Sequence, residues 1–267
     1  MILRALIVAI VALAYQTGLA EEQPSLTVER LTWAGVKMVA GETTVLIDAV
    51  GTDLWDGNAP GGFVPVTSNT RRTYALVTHT HNDHLDIETL QRVLGNTGYI
   101  IAPAQHATHL SSRGLRVITA ELYEPVSRGG FTFIAVPAVD GFGADQVSWI
   151  VSVDSRRFLH AGDTLWHGKW ADFGAAYGPF DAAFLPINGA RLQSEPSTES
   201  AGTMTPGQAV DVALQLRAQK LVPIHFGLND PPFYTEVERP LETLLENARR
   251  RNVEVSVLSP GEVMELP

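Results

Sequence analysis

Thr78-His79-Thr80-His81-Asn82-Asp83-His84-Leu85-Asp86 is the stretch on which the reading of this chain turns. Only 8 histidines occur in 267 residues. Three of them, with an aspartate, at these offsets arise by chance on the order of a few times in ten thousand such chains. The apolar run Tyr74 to Thr78 predicts a buried strand that ends at His79. His79 and His81, two apart at a strand end, turn to one side in extended geometry. Asp83 and His84 follow on the turn into a helix, where they can face a second ion. That helix carries Ile87, Leu90, Val93 and Leu94 on one face, with Asp86 as N-cap and Gly95 beyond the last turn. Neutral imidazole and carboxylate donors suit zinc, manganese or iron.

Working outward, Leu26 to Leu31, Val36 to Ala40 and Thr44 to Ala49 read as strands turned at Ala34-Gly35 and Gly41-Glu42. Gly51 to Thr70, rich in Gly and Pro, is a surface loop. Downstream of the motif come a strand at Tyr99 to Ala102, a helix from Ala104 to about Ser112 and a strand at Arg116 to Ile118. Further strands follow at Phe131 to Val136, Val147 to Val153, Arg157 to His160 and Phe180 to Ile187. Beyond the polar loop Gly189 to Thr203, Thr205-Pro206 opens a helix with Val210, Ala213 and Leu214 facing inward. A strand at Leu221 to Ile224, a helix at Pro240 to Arg250 and a closing strand at Val253 to Leu258 complete the pattern. Two halves, each of strands followed by helices, predict two packed sheets with helices outside.

A shared metal site needs ligands from other strand ends, where a rigid scaffold presents side chains to a cleft. Arg157 to His160 runs into Ala161-Gly162-Asp163-Thr164, and Leu221 to Ile224 runs into His225-Phe226-Gly227. A lone Asp or His after a strand is commonly a turn former or a satisfied polar residue. In company with the first motif, Asp163 and His225 become candidate ligands.

The motif HxHxDH at 79–84, then Gly162-Asp163, then a His ending a Pro-containing strand at 225, resembles the metallo-β-lactamase superfamily from about Leu26 to Leu266. The resemblance implies an α/β (α+β) fold, a four-layer αββα sandwich with a dinuclear metal site along one edge. Thr32 to Asp48 and Gly162-Asp163-Thr164 are most similar to the branch containing L-ascorbate-6-phosphate lactonase and N-acyl-phosphatidylethanolamine phospholipase D. By position it implies His79 and His81 on the first metal, Asp83, His84 and His225 on the second, and Asp163 bridging. Asp48 matches a buried strand-end Asp that orients a ligand His, or else is a turn residue. The family pattern has a further His after the strand Phe131 to Val136, and Asp140 stands there instead. Either Asp140 ligates the first metal, making it harder and more tolerant of manganese or iron, or His167 swings in, or the first site is weak or empty. His160 reads as a strand residue, and His106 and His109 as decoration of an exposed helix face.

Composition narrows the function. With 19 Lys plus Arg against 29 Asp plus Glu, the formal charge of −10 disfavours nucleic acid and anionic lipid as partners. No cysteine occurs, so disulfides, thiolate nucleophiles, zinc fingers and the Cys-ligand lactamases are excluded. Arg4 followed by the apolar run Ala5 to Ala14 and a small-x-small ending at Ala20 predicts a cleaved signal peptide over residues 1–20. Its h-region is too short to span the roughly 30 Å of hydrocarbon. Residues 21–267 then form a single hydrolase domain, secreted or periplasmic, without stable membrane insertion.

Two ions about 3.5 to 4 Å apart can hold a hydroxide and polarise a carbonyl or phosphoryl oxygen. The expected activity is metal-dependent hydrolysis of a lactone, ester, amide or phosphodiester of a small or lipid-like molecule. Zinc is the expected metal, with two ions, and manganese or iron are the alternatives; Asp83 and Asp163 orient the nucleophile. Trp55 and Phe63, the segment Trp166 to Tyr177 and the loop after Asn188 are candidate substrate-facing elements. Arg249-Arg250-Arg251, on a helix end, reads as complementing the dipole. An exported, non-catalytic metal- or ligand-binding protein of the same fold is the second hypothesis, and a Cys-free metallo-β-lactamase a third.

Overall fold

A computed structural model describes residues 26–51, 59–192, 201–231 and 233–266; the expected signal at 1–20 and Trp55 lie outside them. The first sheet holds β1 (Thr27–Arg30), β2 (Val36–Ala40), β3 (Thr43–Ile47), β4 (Arg72–Leu76), β5 (Tyr99–Pro103) and β6 (Val117–Ala120), neighbours in that order. β1 to β3 form an antiparallel meander. From β3 onward the strands are parallel, and α1 (Ile87–Leu94) and α2 (Ala104–Ser112) make the crossovers from β4 to β5 and from β5 to β6.

The second sheet repeats the plan. Antiparallel β7 (Pro125–Arg128), β8 (Phe131–Pro137), β9 (Val147–Val153) and β10 (Arg156–His160) lead into parallel β11 (Phe180–Pro186). After β11 comes the short β12 (Arg191–Leu192) and then the outer strand β13 (Ala218–Ile224), parallel to β11. The helices here are α3 (Trp170–Tyr177), α4 (Pro206–Leu216) and α5 (Pro240–Arg251). β12 pairs with β14 (Tyr234–Thr235) as a small ribbon.

Period-two alternation explains why the sheets stack. Val45 and Ile47, Tyr74 and Leu76, Trp149 and Val151, and Phe184 project into one inter-sheet core. The intervening Leu46, Ala75 and Ile100 pack instead under α1 and α2 with Leu90, Leu94 and Leu110. On the far side, Ile150, Leu159 and Ala183 meet Trp170, Phe173, Val210 and Leu244 from the other three helices. The four αββα layers are those expected, and burial on both sheet faces is why the strands read as continuous apolar runs. The core also positions the motif. From β9, Trp149 Nε1 donates to the Val77 carbonyl at 2.9 Å and Val147 N to the Thr78 carbonyl at 3.1 Å. These bonds fix the exit of β4 from the opposite sheet.

Several expectations are corrected. Leu214 is 40% exposed, because the buried stripe of α4 runs through Ala209, Val210, Ala213 and Leu216 on the other side. His106 is buried, its Nε2 3.0 Å from the Asp145 carbonyl, while His109 is exposed as expected. The closing strand Val253 to Leu258 reduces to one bridge, Leu221 with Val255. Leu221 N donates to Glu254 O and Ser256 N to Leu221 O; the next donor on β13 would be Pro223, which has no N–H. The segment Trp166 to Tyr177, for which the sequence predicts no helix, contains α3. Gly174, which weakens its helix signal, is needed because a Cβ there would overlap the Gln215 carbonyl on α4.

Candidate metal centre

Each site residue follows the C-terminal end of a strand: Asp48 after β3, His79 after β4, Asp140 after β8, Asp163 after β10, His225 after β13. Three non-glycine residues here, Trp33 (φ 59°), Asp48 (φ 45°) and His225 (φ 54°), adopt left-handed backbone. That conformation costs on the order of 1–3 kcal/mol each and persists only where surrounding contacts over-determine it. Gly162 (φ 67°) makes the turn before Asp163, and any Cβ there would press on Thr78 at 2.9 Å.

Asp48 is the anchor of the arrangement. Its Oδ1 accepts from Thr78 N at 2.9 Å, and its Oδ2 accepts from the Thr78 hydroxyl at 2.7 Å and from His84 Nδ1 at 2.8 Å. Burial opposes its charge, but His84 prevails and holds the carboxyl below its ordinary value. Because the Thr78 proton is spent on Asp48, the Thr78 oxygen accepts from His79 Nδ1 at 3.0 Å. Both imidazoles are therefore Nδ1-protonated, with Nε2 directed into the site. Asn188 does the same for His225: its Oδ1 faces His225 Nδ1 at 3.3 Å.

The donor atoms converge in two groups, each within 4.8 Å: His79, His81 and Asp83, and then Asp83, His84, Asp163 and His225. Asp163 faces both. Its Oδ1 lies 2.8 Å from His84 Nε2 and 3.0 Å from His225 Nε2, while Oδ2 lies 3.8 Å from His79 Nε2. His84 Nε2, His225 Nε2 and Asp163 Oδ1 are buried without a hydrogen-bond partner. Three orphaned polar atoms aimed at one point fit a divalent cation, so His79, His81, Asp83, His84, Asp163 and His225 are a chemically suitable set.

Asp140 and His167 are placed differently from one another. The Asp140 carboxylate accepts from Phe142 N at 2.7 Å and Ala144 N at 3.0 Å, and its Oδ2 reaches within 3.6 Å of His81 Nδ1. Leu165 N donates to Val139 O at 2.7 Å, clipping this loop to the one bearing Asp163. His167 stacks on Trp170 at 4.1 Å, and neither it nor Asp140 belongs to either donor group.

Several residues were not singled out from sequence. Trp33 Nε1 donates to Asp83 Oδ2 at 3.1 Å, and its ring lies 4.2 Å from His225. His160 is more than a strand residue, with Nε2 2.8 Å from the Ala34 carbonyl and Nδ1 accepting from Gly162 N at 3.3 Å. It ties the Trp33 turn to the Asp163 turn. A cavity of about 380 Å³ opens on the cluster, with Trp33, Phe142, Leu192, Leu228 and Tyr234 as its apolar walls. Of the expected substrate-facing elements, the loop after Asn188 supplies Leu192, whereas Phe63 and Trp166 do not line the cavity. Arg250 and Arg251 pair with Glu246 and Asp211 at the end of α5.

The carboxylates also set the protonation of the metal-free site. Burial lowers His225, but Asp163 more than reverses this and raises it to about 9; His84 is likewise raised well above its ordinary value. A group with a raised pKa holds its proton below that value, whereas a metal needs neutral imidazole. Metal uptake at pH 7 should therefore release protons, and affinity should rise with pH up to about 9. Titration calorimetry in buffers of different ionisation enthalpy counts those protons, and uptake without release would contradict the assignment.

An αββα sandwich with a His/Asp donor cluster at its strand ends is the arrangement of a metal-binding protein of the metallo-β-lactamase fold. Residues 43–226, more than half the chain, match the model of the beta-lactamase superfamily domain, and the chain belongs to that superfamily. A UPF0173 metal-dependent hydrolase of Thermococcus kodakarensis is 29% identical over 237 residues, 86% of this chain and 95% of the relative. Among solved structures, Igni18, a metallo hydrolase from Ignicoccus hospitalis, superposes with a TM-score of 0.67 at 20% identity, covering 90% of this chain and 97% of that one. CmlA, a diiron beta-hydroxylase from Streptomyces venezuelae, gives 0.70 at 16% identity, over 91% of this chain and 54% of its own.

Proposed function

We propose that the protein hydrolyses a small, uncharged, largely apolar ester, lactone or amide, with His79, His81, Asp83, His84, Asp163 and His225 holding two ions and Asp140 completing the first site. Zinc is the proposed metal, with manganese or iron as alternatives because Asp140 replaces an imidazole by a harder carboxylate. When bound, the ions supply Lewis acidity that activates water and polarises the scissile carbonyl. Asp83 and Asp163 orient the attacking water through their carboxylate oxygens. Trp33 holds Asp83 in place, and Phe142, Leu192 and Leu228 exclude bulk solvent. The expected leader over residues 1–20 adds export to the proposal.

The observation that carries the substrate reading is the cavity wall. It contains no Lys or Arg among the described residues. A phosphodiester brings a full negative charge that proteins ordinarily meet with such side chains, and Asp140 adds a further negative charge beside His81. A neutral acyl group with an apolar body meets neither objection, and the volume suits a small ligand.

The test is chelation followed by reloading with zinc, manganese or ferrous iron, then assay on para-nitrophenyl butyrate, γ-butyrolactone and bis(para-nitrophenyl) phosphate. With the ions but no Lys or Arg to meet the charge of a phosphodiester, the neutral substrates should be preferred, on the order of 10-fold or more in kcat/KM. Preference for the phosphodiester overturns the substrate reading. Stoichiometric metal without turnover of any probe favours the non-catalytic binding protein.

A further inference from the structure

We propose that Tyr234 is a further catalytic residue, its phenolic O–H donating a hydrogen bond to the substrate oxygen on which negative charge develops. The proposal rests on the acyl-hydrolysis reading above. Tyr234 sits on β14, its backbone pinned by reciprocal bonds with Asp230 at 2.9 and 3.0 Å and paired with Leu192 of β12. It lines the same cavity as Asp83, Asp163 and His225.

Hydrogen-bond accounting frees its proton. Asn188 is fully buried and uses all of its amide. Its Oδ1 accepts from Thr203 Oγ1 at 2.6 Å and faces His225 Nδ1, so that end must be oxygen. Its Nδ2 then donates to the Tyr234 hydroxyl at 2.7 Å and to Glu236 Oε1 at 3.2 Å. The phenolic oxygen is thus an acceptor toward Asn188, and among the described residues no acceptor takes its own proton. Burial, reinforced by Asp163, pushes the phenol well above its ordinary value, so it stays a donor at neutral pH. A donor held rigidly by the partner that also orients His225 is pre-organised for charge that appears beside the cluster.

The step balances without any external reagent. The water oxygen bonds to the acyl carbon as the carbonyl π pair moves onto the carbonyl oxygen, which Tyr234 stabilises. That pair returns as the bond to the leaving oxygen or nitrogen breaks, and the leaving atom takes a proton that came from the water. The products are a carboxylic acid and an alcohol or amine, and Tyr234 ends with the proton it began with.

Tyr234→Phe retains the cavity wall and removes the donor, together with the acceptor of one Asn188 Nδ2 proton. With para-nitrophenyl butyrate, kcat should fall by roughly 100-fold, the scale for losing one such donor, while KM stays within about twofold under uniform-binding logic. Trifluoromethyl butyl ketone, which hydrates to a tetrahedral adduct, should bind more weakly by a similar factor, whereas methyl butyl ketone should bind unchanged, both read by tryptophan fluorescence. Metal content should match wild type, and Tm should fall by only the few degrees that one unpaired buried Asn188 N–H costs. Wild-type kcat and wild-type affinity for the trifluoroketone in the variant overturn the proposal. So does a fall in metal content together with kcat, because the tyrosine would then act only through Asn188 and His225. Absence of neutral-ester turnover in the wild-type protein is a different result, overturning the reading on which the proposal rests.

Discussion

Asp163→Ala is expected to leave at most one ion bound per chain and to lower turnover by on the order of 10³-fold or more, beyond the 10- to 100-fold typical of partners outside the ligand set. Asp83 also belongs to both donor groups, but Asp163 is the carboxylate whose two oxygens divide between them: Oδ1 touches His84 and His225 while Oδ2 looks toward His79. Removing it leaves His225 Nε2 with only Asp83 Oδ2, at 3.4 Å, as a carboxylate neighbour. Asp163→Asn separates charge from shape. The amide keeps one acceptor oxygen, so one ion should persist while turnover still falls. Metal analysis of the dialysed variants, beside kcat/KM on para-nitrophenyl butyrate, distinguishes these outcomes. Two ions retained in Asp163→Ala would refute the bridging role.

The parts of this site that were legible in sequence are those carried by local pattern. HxHxDH lies in one turn after one strand, and a strand end with an Asp or His presents it to a cleft whatever the tertiary detail, so His79, His81, Asp83, His84, Asp163 and His225 could be named. The two sheets were legible for the same reason, since apolar runs bounded by Gly and Pro are local. Residues whose roles depend on distant partners were not legible. Trp33 reaches Asp83 across 50 positions and Asn188 reaches Tyr234 across 46. His160 read as an ordinary strand residue because its partner is a backbone carbonyl 126 positions away. The closing strand failed on the chemistry of a neighbour, Pro223, and α3 on a glycine required by helix packing. Asp140 marks the middle case: the departure from the family pattern was visible in sequence, but the two backbone N–H groups that share its carboxylate were not.

Asp48→Asn should leave the fold intact yet cost at least 10- to 100-fold in metal affinity, the scale for partners of ligating histidines, with turnover falling further because two ligands fail together. The substitution changes one oxygen to an NH₂ and little else in shape. The amide oxygen still accepts from Thr78 N, replacing the bond at 2.9 Å. The NH₂ takes the place of Oδ2, where His84 Nδ1 and the Thr78 hydroxyl both donate. A donor facing two donors is resolved only if both partners turn into acceptors. His84 then moves its proton to Nε2 and loses the lone pair aimed at Asp163 and Asp83. Thr78, now accepting from the introduced amide, turns its own proton toward His79 Nδ1, and His79 must likewise carry its proton on Nε2. One buried carboxylate thereby sets the tautomer of a histidine in each donor group. Asp48→Ala instead leaves Thr78 and His84 donors buried and unpaired, with an expected destabilisation of about 3–5 kcal/mol. The two variants should therefore separate: near-normal Tm with lost metal for the asparagine substitution, and lowered Tm for the alanine one. Histidine nitrogen NMR reads the tautomers directly, and an Asp48→Asn protein with both rings still protonated at Nδ1 and two ions bound would sink the relay.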